Sequence, residues 1–307
     1  MTMTDDHPSL SICIVGINPG DYLRECLRSI STSQTDVGSM ITYVDNGSVD
    51  GTLVMLQNEF PSVSLIRNDK NLGYAKANNQ AIRCSQSRFV LLLNPDTLLE
   101  QNSLQVLVDY LTTHPQAGIV GPKVLNSDGS FQPQCKRGEA RPWEVICYFS
   151  GLSRLFPKDP RFCGYLQGHL DENTINFVPA ISGSCMLIRR EMMDKIGLLD
   201  EAFFAYQEDT DFCVRARQAG WQVVFNPEAH IIHYGGRGGT QFQPFRTIYE
   251  WHRSYFLYYK KHLARDYFFL FLIVSLYPGI EAIIEVTHLK HLKPGSIYVL
   301  QEVMHRI

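Results

Sequence analysis

Two phosphate-binding motifs are missing from this chain. No G-x-G-x-x-G follows the first apolar run, and no G-x-x-x-x-G-K-[ST] occurs at any position. The chain therefore lacks the glycine loops of dinucleotide-binding oxidoreductases and of P-loop enzymes. The formal net charge is −3, which gives no general attraction to nucleic acid. We expect no nucleic-acid partner, and any bound anion must be held by local groups.

Paired cysteines and long hydrophobic runs are missing as well. The eight cysteines include no C-x-x-C pair, and several lie inside apolar runs, as is typical of a reducing compartment. The first apolar run, residues 10–17, is too short and wrongly flanked for a secretory signal. The longest run, residues 267–280, contains Pro278 and is shorter than the ~20 residues of a membrane-spanning helix. The sequence predicts a cytoplasmic catalytic domain.

What is present is an alternation of short apolar runs with amphipathic stretches, over a chain of 307 residues. This alternation predicts an α/β fold with a mostly parallel sheet. Strands are expected at residues 11–17, 40–44, 63–66, 89–93 and 118–120, with helices between them. A late helix is expected to follow Asp209 and to end at Gly220, before a strand at 221–225.

Two stretches depart from this alternation. Residues 126–176 have no clear periodicity and are rich in Pro, Gly and aromatic residues, so we interpret them as an insertion on the acceptor side of a site. From about Thr240 the composition becomes aromatic and basic. We therefore expect a main domain at 1–240 and a C-terminal helical segment at 241–307.

The C-terminal segment allows two interpretations. Residues 251–293 combine many aromatic side chains with Lys260, Lys261 and Arg265, a mixture that suits a helix lying on a membrane surface. A buried helical hairpin that caps the main domain is the alternative. On the first interpretation the protein lies peripherally on the inner face of the cytoplasmic membrane.

Polar turns follow the four early strands. Their sequences are Gly16-Ile17-Asn18, Asp45-Asn46-Gly47-Ser48, Arg67-Asn68 and Asn94-Pro95-Asp96. These residue types favour turns by themselves, so one such turn carries little weight. Ligands bind beyond the carboxyl ends of parallel strands, and four polar turns at the same predicted edge indicate a site.

Five sequence blocks occur in an order that is familiar. They are ITYVDNGSVDGT (41–52), NLGYAKANN (71–79), LLLNPDTLL (91–99), SGSCMLIRRE (182–191) and FFAYQEDTDFCVRARQAGW (203–221). Together they resemble glycosyltransferase family 2, in particular its rhamnosyltransferase-like branch, from about residue 11 to residue 239. The resemblance implies a single nucleotide-diphospho-sugar transferase domain, the GT-A fold, and inversion at the anomeric carbon.

The resemblance also implies roles for individual residues. Asp45 would contact the nucleotide base, Asp96 a metal, Asp209 the acceptor hydroxyl and His233 the metal again. The family commonly has Thr-Tyr-Asn where this chain has Gly16-Ile17-Asn18. The candidate donor-binding residues are Asn18, Asp45, Asn46, Asn71, Lys76, Asn94 and Arg237.

The chemistry of sugar transfer gives these residues a rationale. A divalent cation stabilises the charge that develops on a departing diphosphate. Asp96 is one anionic ligand and Asn94 a neutral neighbour; Mg²⁺ and Mn²⁺ both fit, and an imidazole ligand favours Mn²⁺. His230 and His233 are three residues apart on a predicted strand, so at most one of them reaches the metal.

An acidic pair, Glu208 and Asp209, stands at the start of the late helix. Carboxylates favour a helix N-terminus in any case, but inverting transfer also needs a base that accepts the proton of the attacking hydroxyl. Asp209 is the candidate base, and Glu208 is expected to orient the acceptor. Arg237, in a glycine-rich loop that is also consistent with a plain linker, suits the diphosphate as a guanidinium fork.

The expected function is therefore metal-assisted, inverting transfer of a rhamnose-like deoxyhexose or a hexose. The donor is dTDP- or UDP-linked, and the acceptor is a hydroxyl of a glycan or of a lipid-linked saccharide. Two alternatives stay open: a catalytically inactive sugar-nucleotide-binding protein with the same fold, and a sugar-phosphate nucleotidyltransferase. The first turn, INPGDY, lacks the Gly-rich, Arg-bearing loop of the latter enzymes.

Overall fold

The computed structural model describes residues 9–33, 35–236 and 244–263. Its longer strands are β1 (Leu10–Gly16), β2 (Ser39–Asp45), β3 (Ser64–Arg67), β4 (Phe89–Leu93), β5 (Thr97–Leu99), β6 (Ala117–Leu125), β10 (Cys185–Arg189) and β11 (Gln222–His233), with the two-residue strands β7 (Lys136–Arg137), β8 (Asn176–Phe177) and β9 (Ala180–Ile181). The helices are α1 (Asp21–Thr32), α2 (Thr52–Glu59), α3 (Tyr74–Arg83), α4 (Ser103–Thr113), α5 (Pro142–Phe149), α6 (Leu152–Leu155), α7 (Pro160–Cys163), α8 (Arg190–Ile196), α9 (Glu208–Gln218) and α10 (Pro244–His262).

Nine of these strands form one sheet, in the order β3-β2-β1-β4-β10-β6-β11-β5 with β8 beside β11. Strands β1 to β4 pair in parallel, and so do β6 and β11. Every residue of β1 and β4 is buried, as expected for central strands covered on both faces. On α1, the buried residues Leu23, Cys26, Leu27 and Ile30 recur at helical spacing. The predicted α/β fold with a mostly parallel sheet is confirmed.

The sheet differs from the expected one in its second half. Strand β10 runs antiparallel to both of its neighbours, β4 and β6. Strand β11 is longer than the predicted 221–225, because its pairing with β6 resumes after an irregularity between Asn226 and His230. It then pairs antiparallel with β5, a short strand that the sequence pattern did not predict. This extension returns His233 to the turn after β4.

The stretch 126–176 is irregular, as predicted, but it is tied into the molecule by specific contacts. Its strand β7 pairs with β9, and its short helices α5 to α7 pack on one another. Lys136 is buried and donates a hydrogen bond to the backbone oxygen of Gln167 at 2.9 Å. Strand β7 is thereby fixed at the edge of the cavity described below.

The chain divides into two compact units between Tyr258 and Tyr259. Residues 264–307, which hold most of the predicted membrane-associating segment, lie outside the described residues. In the described part of the chain, no helix is both long and apolar enough to span a bilayer. All eight cysteines are described; they are free, and seven of them are buried.

Candidate active site

A cavity of ≈ 470 Å³ opens beside the carboxyl ends of the parallel strands. The turns after β1, β2 and β4 line it, and so do Asn71 and Gly73 of the connection between β3 and α3, whereas Arg67 and Asn68 of that connection do not. The candidate site residues that line the cavity are Asn46, Asn71, Asn94, Asp96, Glu208, Asp209 and His233. Four of the early polar positions therefore meet the acidic pair and the histidine from late in the chain.

The side chains of Asp96 and His233 lie next to each other in the wall of this cavity. The Nε2 atom of His233 lies 3.3 Å from Oδ1 of Asp96, and the side-chain nitrogen of Asn94 lies 3.3 Å from the same Nε2. Asp96 is only 2% exposed. His230 lies instead beside Glu100, at 3.7 Å, and does not line the cavity. Of the two histidines, His233 is the one beside Asp96.

Gln132, in the insertion, accepts a hydrogen bond from the His233 ring. Its side-chain oxygen lies 2.9 Å from Nδ1 of His233, and its amide nitrogen donates to Oδ1 of Asn126 at 2.9 Å. A carboxamide oxygen only accepts hydrogen bonds, so Nδ1 carries a proton, and in the neutral ring Nε2 is the nitrogen whose lone pair faces Asp96. Sequence reasoning missed Gln132 because it lies in a stretch without periodicity.

The Asp96 and His233 atoms fit a divalent cation. A carboxylate oxygen and an imidazole lone pair 3.3 Å apart repel each other unless a cation or a proton lies between them. Within the described ranges, no group of three or more His, Cys, Asp and Glu side chains is assembled that would hold a metal. Two protein ligands therefore leave room for phosphate oxygens and water, which is the usual coordination of Mg²⁺ in nucleotide enzymes.

Asp209 is held firmly in the first turn of α9. Its Oδ2 accepts hydrogen bonds from the guanidinium of Arg137 and from the backbone N–H of Gly183, the latter at 2.9 Å. Its Oδ1 accepts from the backbone N–H of Thr210 at 2.7 Å. Arg137 also lines the cavity. It was not predicted, because its strand β7 has two residues and no recognisable pattern.

Glu208 differs from its neighbour in charge. It is buried, and its Oε2 makes no hydrogen bond within the described part of the chain. Burial, followed by the charge of Asp209, raises the pKa of Glu208 to about 8. At neutral pH the acidic pair therefore consists of a protonated Glu208 beside Asp209, and Glu208 has a proton to donate into the cavity.

Side-chain amide groups connect the turns that follow β2 and β3. The side-chain nitrogen of Asn46 lies 3.3 Å from Oδ1 of Asn71 and 3.3 Å from the backbone oxygen of Gly73. Asn68, from the turn after β3, donates to Oδ1 of Asn46 at 3.0 Å. These bonds join the turn after β2 to the connection between β3 and α3. This part of the cavity rim, which the turns after β1 to β4 form, is therefore preassembled.

Asp45 and Asn18 stabilise turns in the same region. Oδ2 of Asp45 accepts from the backbone N–H groups of Gly47 and Ser48 at 3.1 and 2.9 Å. Oδ1 of Asn18 accepts from the backbone N–H of Val49 at 2.7 Å. Asp45 is fully buried, and neither side chain lines the cavity. Their bonds are those of turn-forming residues.

Two further candidates lie elsewhere. Lys76 is exposed on α3 and does not line the cavity, and Arg237 lies outside the described residues.

Gly16 stands where family 2 commonly has threonine, and this difference has a steric explanation. A Cβ atom at this position would lie 3.0 Å from the hydroxyl oxygen of Tyr43 and 3.2 Å from the ring of Pro95. Such contacts require the neighbours to move. The threonine that is common in the family does not fit here while Tyr43 keeps its position.

Comparison with known proteins agrees with this geometry. Residues 7–268 match the family model described as "Glycosyltransferase like family 2". The chain belongs to glycosyltransferase family 2. It is therefore an enzyme of the predicted class, which sets aside the nucleotidyltransferase alternative.

Curated relatives of this family 2 glycosyltransferase include several rhamnosyltransferases. The N-acetylglucosaminyl-diphospho-decaprenol L-rhamnosyltransferase of Mycobacterium tuberculosis is 30% identical over 83% of this chain and 84% of its own length. The rhamnosyltransferase WbbL of Escherichia coli is 24% identical over 61% of this chain and 69% of its own. The predicted rhamnosyltransferase-like branch is supported by these names.

Solved structures share the fold. A mannosyltransferase from Pyrobaculum calidifontis, in complex with GDP-Man and Mn²⁺, matches 98% of this chain and 81% of its own with a TM-score of 0.56 and 15% identity. GalNAc-T7 with UDP, GalNAc and Mn²⁺ matches 75% of this chain with a TM-score of 0.53 and 18% identity, and this match spans 44% of that protein. The GT-A fold is thereby confirmed.

Proposed function

We propose that this glycosyltransferase moves a rhamnose-like deoxyhexose or a hexose from a dTDP- or UDP-linked donor to a hydroxyl of a glycan or lipid-linked acceptor, with inversion. One observation carries the proposal: the Asp96–His233 pair and the Asp209 carboxylate line the same cavity. The groups that we assign to the diphosphate and to the acceptor proton thus lie in one cavity, which supports the proposal. The names of the rhamnosyltransferase relatives support the choice of sugar.

Asp209 acts as the general base in this proposal. As the acceptor hydroxyl attacks the anomeric carbon, its proton passes to the carboxylate, a new C–O bond forms, and the bond from carbon to the diphosphate breaks. Attack from the side opposite the diphosphate inverts the configuration. Arg137 and the N–H of Gly183 hold Oδ2 of Asp209, so the carboxylate is positioned before the acceptor arrives.

Glu208 assists by orienting the acceptor. Because its pKa is raised to about 8, it keeps its proton at neutral pH and donates a hydrogen bond to an acceptor oxygen. It therefore does not compete with Asp209 for the hydroxyl proton. We assign different roles to the two neighbouring carboxyl groups because burial and the charge of Asp209 raise the pKa of Glu208.

Asp96 and His233 would hold Mg²⁺ or Mn²⁺. Such a cation, when bound, would neutralise negative charge on the leaving diphosphate. Gln132 accepts a hydrogen bond from Nδ1 of His233, which leaves Nε2 as the metal-binding nitrogen of the neutral ring, and Asn94 contacts the same nitrogen. In this proposal Asn46 and Asn71 contact the nucleotide, and Asp45 accepts a hydrogen bond from the imide N–H of its base. Arg237 contacts the diphosphate.

The surroundings of the reaction are part of the proposal. The enzyme works in the cytoplasm, peripherally on the inner face of the membrane, with residues 241–307 as a separate helical segment that contributes to attachment. This placement gives it access to cytoplasmic sugar nucleotides and to a lipid-linked acceptor.

A ligand-stabilisation screen tests the proposal. The full chain is heated with dTDP-rhamnose, UDP-glucose, GDP-mannose or the free nucleotides, each with Mg²⁺, with Mn²⁺ or with a chelator. A ligand that binds only the native state raises Tm, so we expect a dTDP- or UDP-sugar to raise it and the chelator to abolish the effect. Stabilisation by GDP-mannose alone would contradict the donor assignment.

Transfer itself needs a second measurement. Incubation with the stabilising donor and a synthetic saccharide acceptor should give a product whose anomeric configuration, read by NMR, is opposite to that of the donor. Stabilisation without any transfer to a panel of saccharide acceptors would favour the binding-protein alternative. A product with retained configuration would exclude Asp209 as the base of a single displacement.

A further inference from the structure

The insertion presents large apolar side chains to solvent. Trp143 is 52% exposed, Leu155 73%, Phe156 46% and Phe149 37%. Trp143 and Phe149 lie on α5, Leu155 is the last residue of α6 and Phe156 follows it, so all four fall within residues 143–156. We call the exposed side of residues 142–163 the α5–α7 surface. Clustered exposed apolar residues of this size mark an interaction site in soluble proteins.

Specific contacts hold the aromatic side chains of the α5–α7 surface in place. The rings of Trp143 and Phe162 are tilted against each other with centroids 6.3 Å apart, and the centroids of Phe162 and Phe156 are 4.9 Å apart. The indole nitrogen of Trp143 donates to the backbone oxygen of Arg161 at 2.8 Å. Phe149 contacts Trp251 of α10 edge-to-face at 5.4 Å. Aromatic contacts thus hold the exposed side chains in place.

Positive charge flanks the apolar side chains. Arg154 and Lys158 are exposed on either side of Leu155 and Phe156, and neither makes an ion pair within the described residues. The nearest carboxylate along the chain, that of Asp159, is partly buried and paired with Arg161. The surface therefore combines exposed apolar groups with two cations that have no carboxylate partner among the described residues.

The α5–α7 surface is connected to the active site by a short path. Arg137, which pairs with Asp209, precedes α5 by five residues. The N–H of Gly138 donates to the backbone oxygen of Tyr165 at 2.9 Å, just after α7. The chain thus leaves the cavity edge, forms the exposed surface and returns to the same edge. A partner on this surface therefore contacts the chain segment whose start, at Arg137, lines the cavity.

We propose that the α5–α7 surface docks on an anionic lipid membrane. Trp, Phe and Leu side chains beside Arg and Lys are the composition of helices that lie in a bilayer interface, and the two unpaired cations complement acidic lipid headgroups. The inference rests in part on the proposed function, because docking here would hold the cavity over a lipid-linked acceptor. It assigns membrane contact to described residues of the insertion, separately from the C-terminal segment.

Vesicle sedimentation with the full chain, in the absence of donor and acceptor, tests the docking directly. Parent protein should bind phosphatidylglycerol vesicles and bind phosphatidylcholine vesicles more weakly. Each basic residue near an anionic surface contributes roughly a five-fold gain in affinity, so Arg154→Gln with Lys158→Gln should weaken binding on the order of 10- to 30-fold. Leu155→Ser with Phe156→Ser should weaken it by about ten-fold or more, to both lipids.

Matched controls separate this surface from general effects. Val54→Ser with Phe177→Ser removes two side chains that are 60% and 65% exposed elsewhere. Lys70→Gln with Arg88→Gln removes two exposed charges at distant positions. Both controls should bind vesicles as the parent does. Melting curves confirm that each variant is folded.

Three outcomes would overturn the proposal: α5–α7 variants that bind anionic vesicles like the parent, controls that lose binding equally, or a folded parent that does not bind. Loss of a self-associated species in the α5–α7 variants with unchanged vesicle binding would assign the surface to protein contact instead. Transfer to a short-chain, water-soluble acceptor should be unchanged in all these variants. If transfer is absent in the parent while vesicle binding is present, the proposed function fails and the docking stands.

Discussion

The turns after β1 to β4 and the insertion between β6 and β10 both reach the cavity, but they contribute in different ways. In the turns, the polar side chains bond mainly to one another and to nearby backbone, as Asn46 does with Asn71 and Gly73. In the insertion, Gln132 and Arg137 bond to side chains from later elements, His233 and Asp209.

This difference indicates separate roles for the turns and for the insertion. The turns form a rim whose shape depends on short stretches of chain, and that rim is the proposed donor side. The insertion instead orients the two groups proposed to take part in the chemistry. If the division is correct, changes in the rim affect folding and donor binding, and changes in the insertion affect metal affinity and rate.

The largest expected effect distinguishes the role of Asp209 from that of Asp96. Asp209→Asn should lower the rate of transfer by about 10²–10⁴-fold while donor binding is kept, because a base acts only on the acceptor. Asp96→Ala should lose metal-dependent donor binding as well. Turnover and calorimetric donor affinity measure the two effects. Near-normal turnover of Asp209→Asn would move the base elsewhere, with Glu208 and Asp211 as the next candidates.

A glycine in the rim should be far less replaceable than one in the insertion. Gly73 has φ +85°, and a Cβ there would lie 2.4 Å from the backbone oxygen of Phe204. Gly151, in the insertion, has φ +82° with nothing within 4 Å. Gly73→Ala should cost about 3 kcal/mol or more, and Gly151→Ala about 1 kcal/mol. Urea unfolding of both variants gives the comparison, and equal losses would contradict it.

Gln132 should act through His233. Gln132→Leu removes the acceptor for the Nδ1 proton, and loss of such a partner typically weakens metal affinity by about 10–100-fold. Gln132→Glu keeps an acceptor and should restore most of it. The metal concentration for half-maximal activity and Mn²⁺ titration of the donor-free protein both measure this. An unaffected Leu variant would mean that Gln132 does not orient the ring.

Asp45→Asn distinguishes base recognition from turn formation. The asparagine oxygen can still accept from Gly47 and Ser48, so the fold should be intact. The new NH₂ group cannot accept from an imide N–H, and donor affinity should fall by about ten-fold. Competition with free nucleotides measures the change. Unaltered affinity would leave Asp45 as a turn residue only.

The last expected effect is a pH dependence of stability. Glu208 has its pKa raised from 4.5 to about 8 by burial and by Asp209, so the folded state keeps a proton that the unfolded state releases. Its contribution is fully present below the unfolded pKa and is lost as pH rises toward about 8. Glu208→Gln should reduce this loss between about pH 5 and 8.

Urea unfolding at several pH values checks the Glu208 prediction. Glu191→Gln is the control, because Glu191 is an exposed partner of Lys195 whose pKa is lowered. The control should keep the parental fall in stability. An identical pH profile in Glu208→Gln and the parent would show that Glu208 is ionised in the folded protein at neutral pH.

Much of the first half of the molecule was predictable from the sequence. Continuous apolar runs such as FVLLL predicted the buried strand β4, and the residues Leu23, Cys26, Leu27 and Ile30 predicted α1, because these patterns repeat with the period of the element. The polar turns were found for the same reason, since they end the strands. Local periodicity also placed Asp209 at the start of α9.

The tertiary structure decided what periodicity does not encode. Gln132 and Arg137 lie in short, irregular elements, and their partners are 101 and 72 residues away. Strand β10 is antiparallel because of how the chain returns through the sheet, and a two-residue strand has no period to recognise. The sequence by itself determined the strands, their polar ends and the acidic pair, because neighbouring residues set these features. The hydrogen bond that orients His233, the anchoring of Asp209 and the raised pKa of Glu208 depend on contacts and burial that arise only when distant segments pack together.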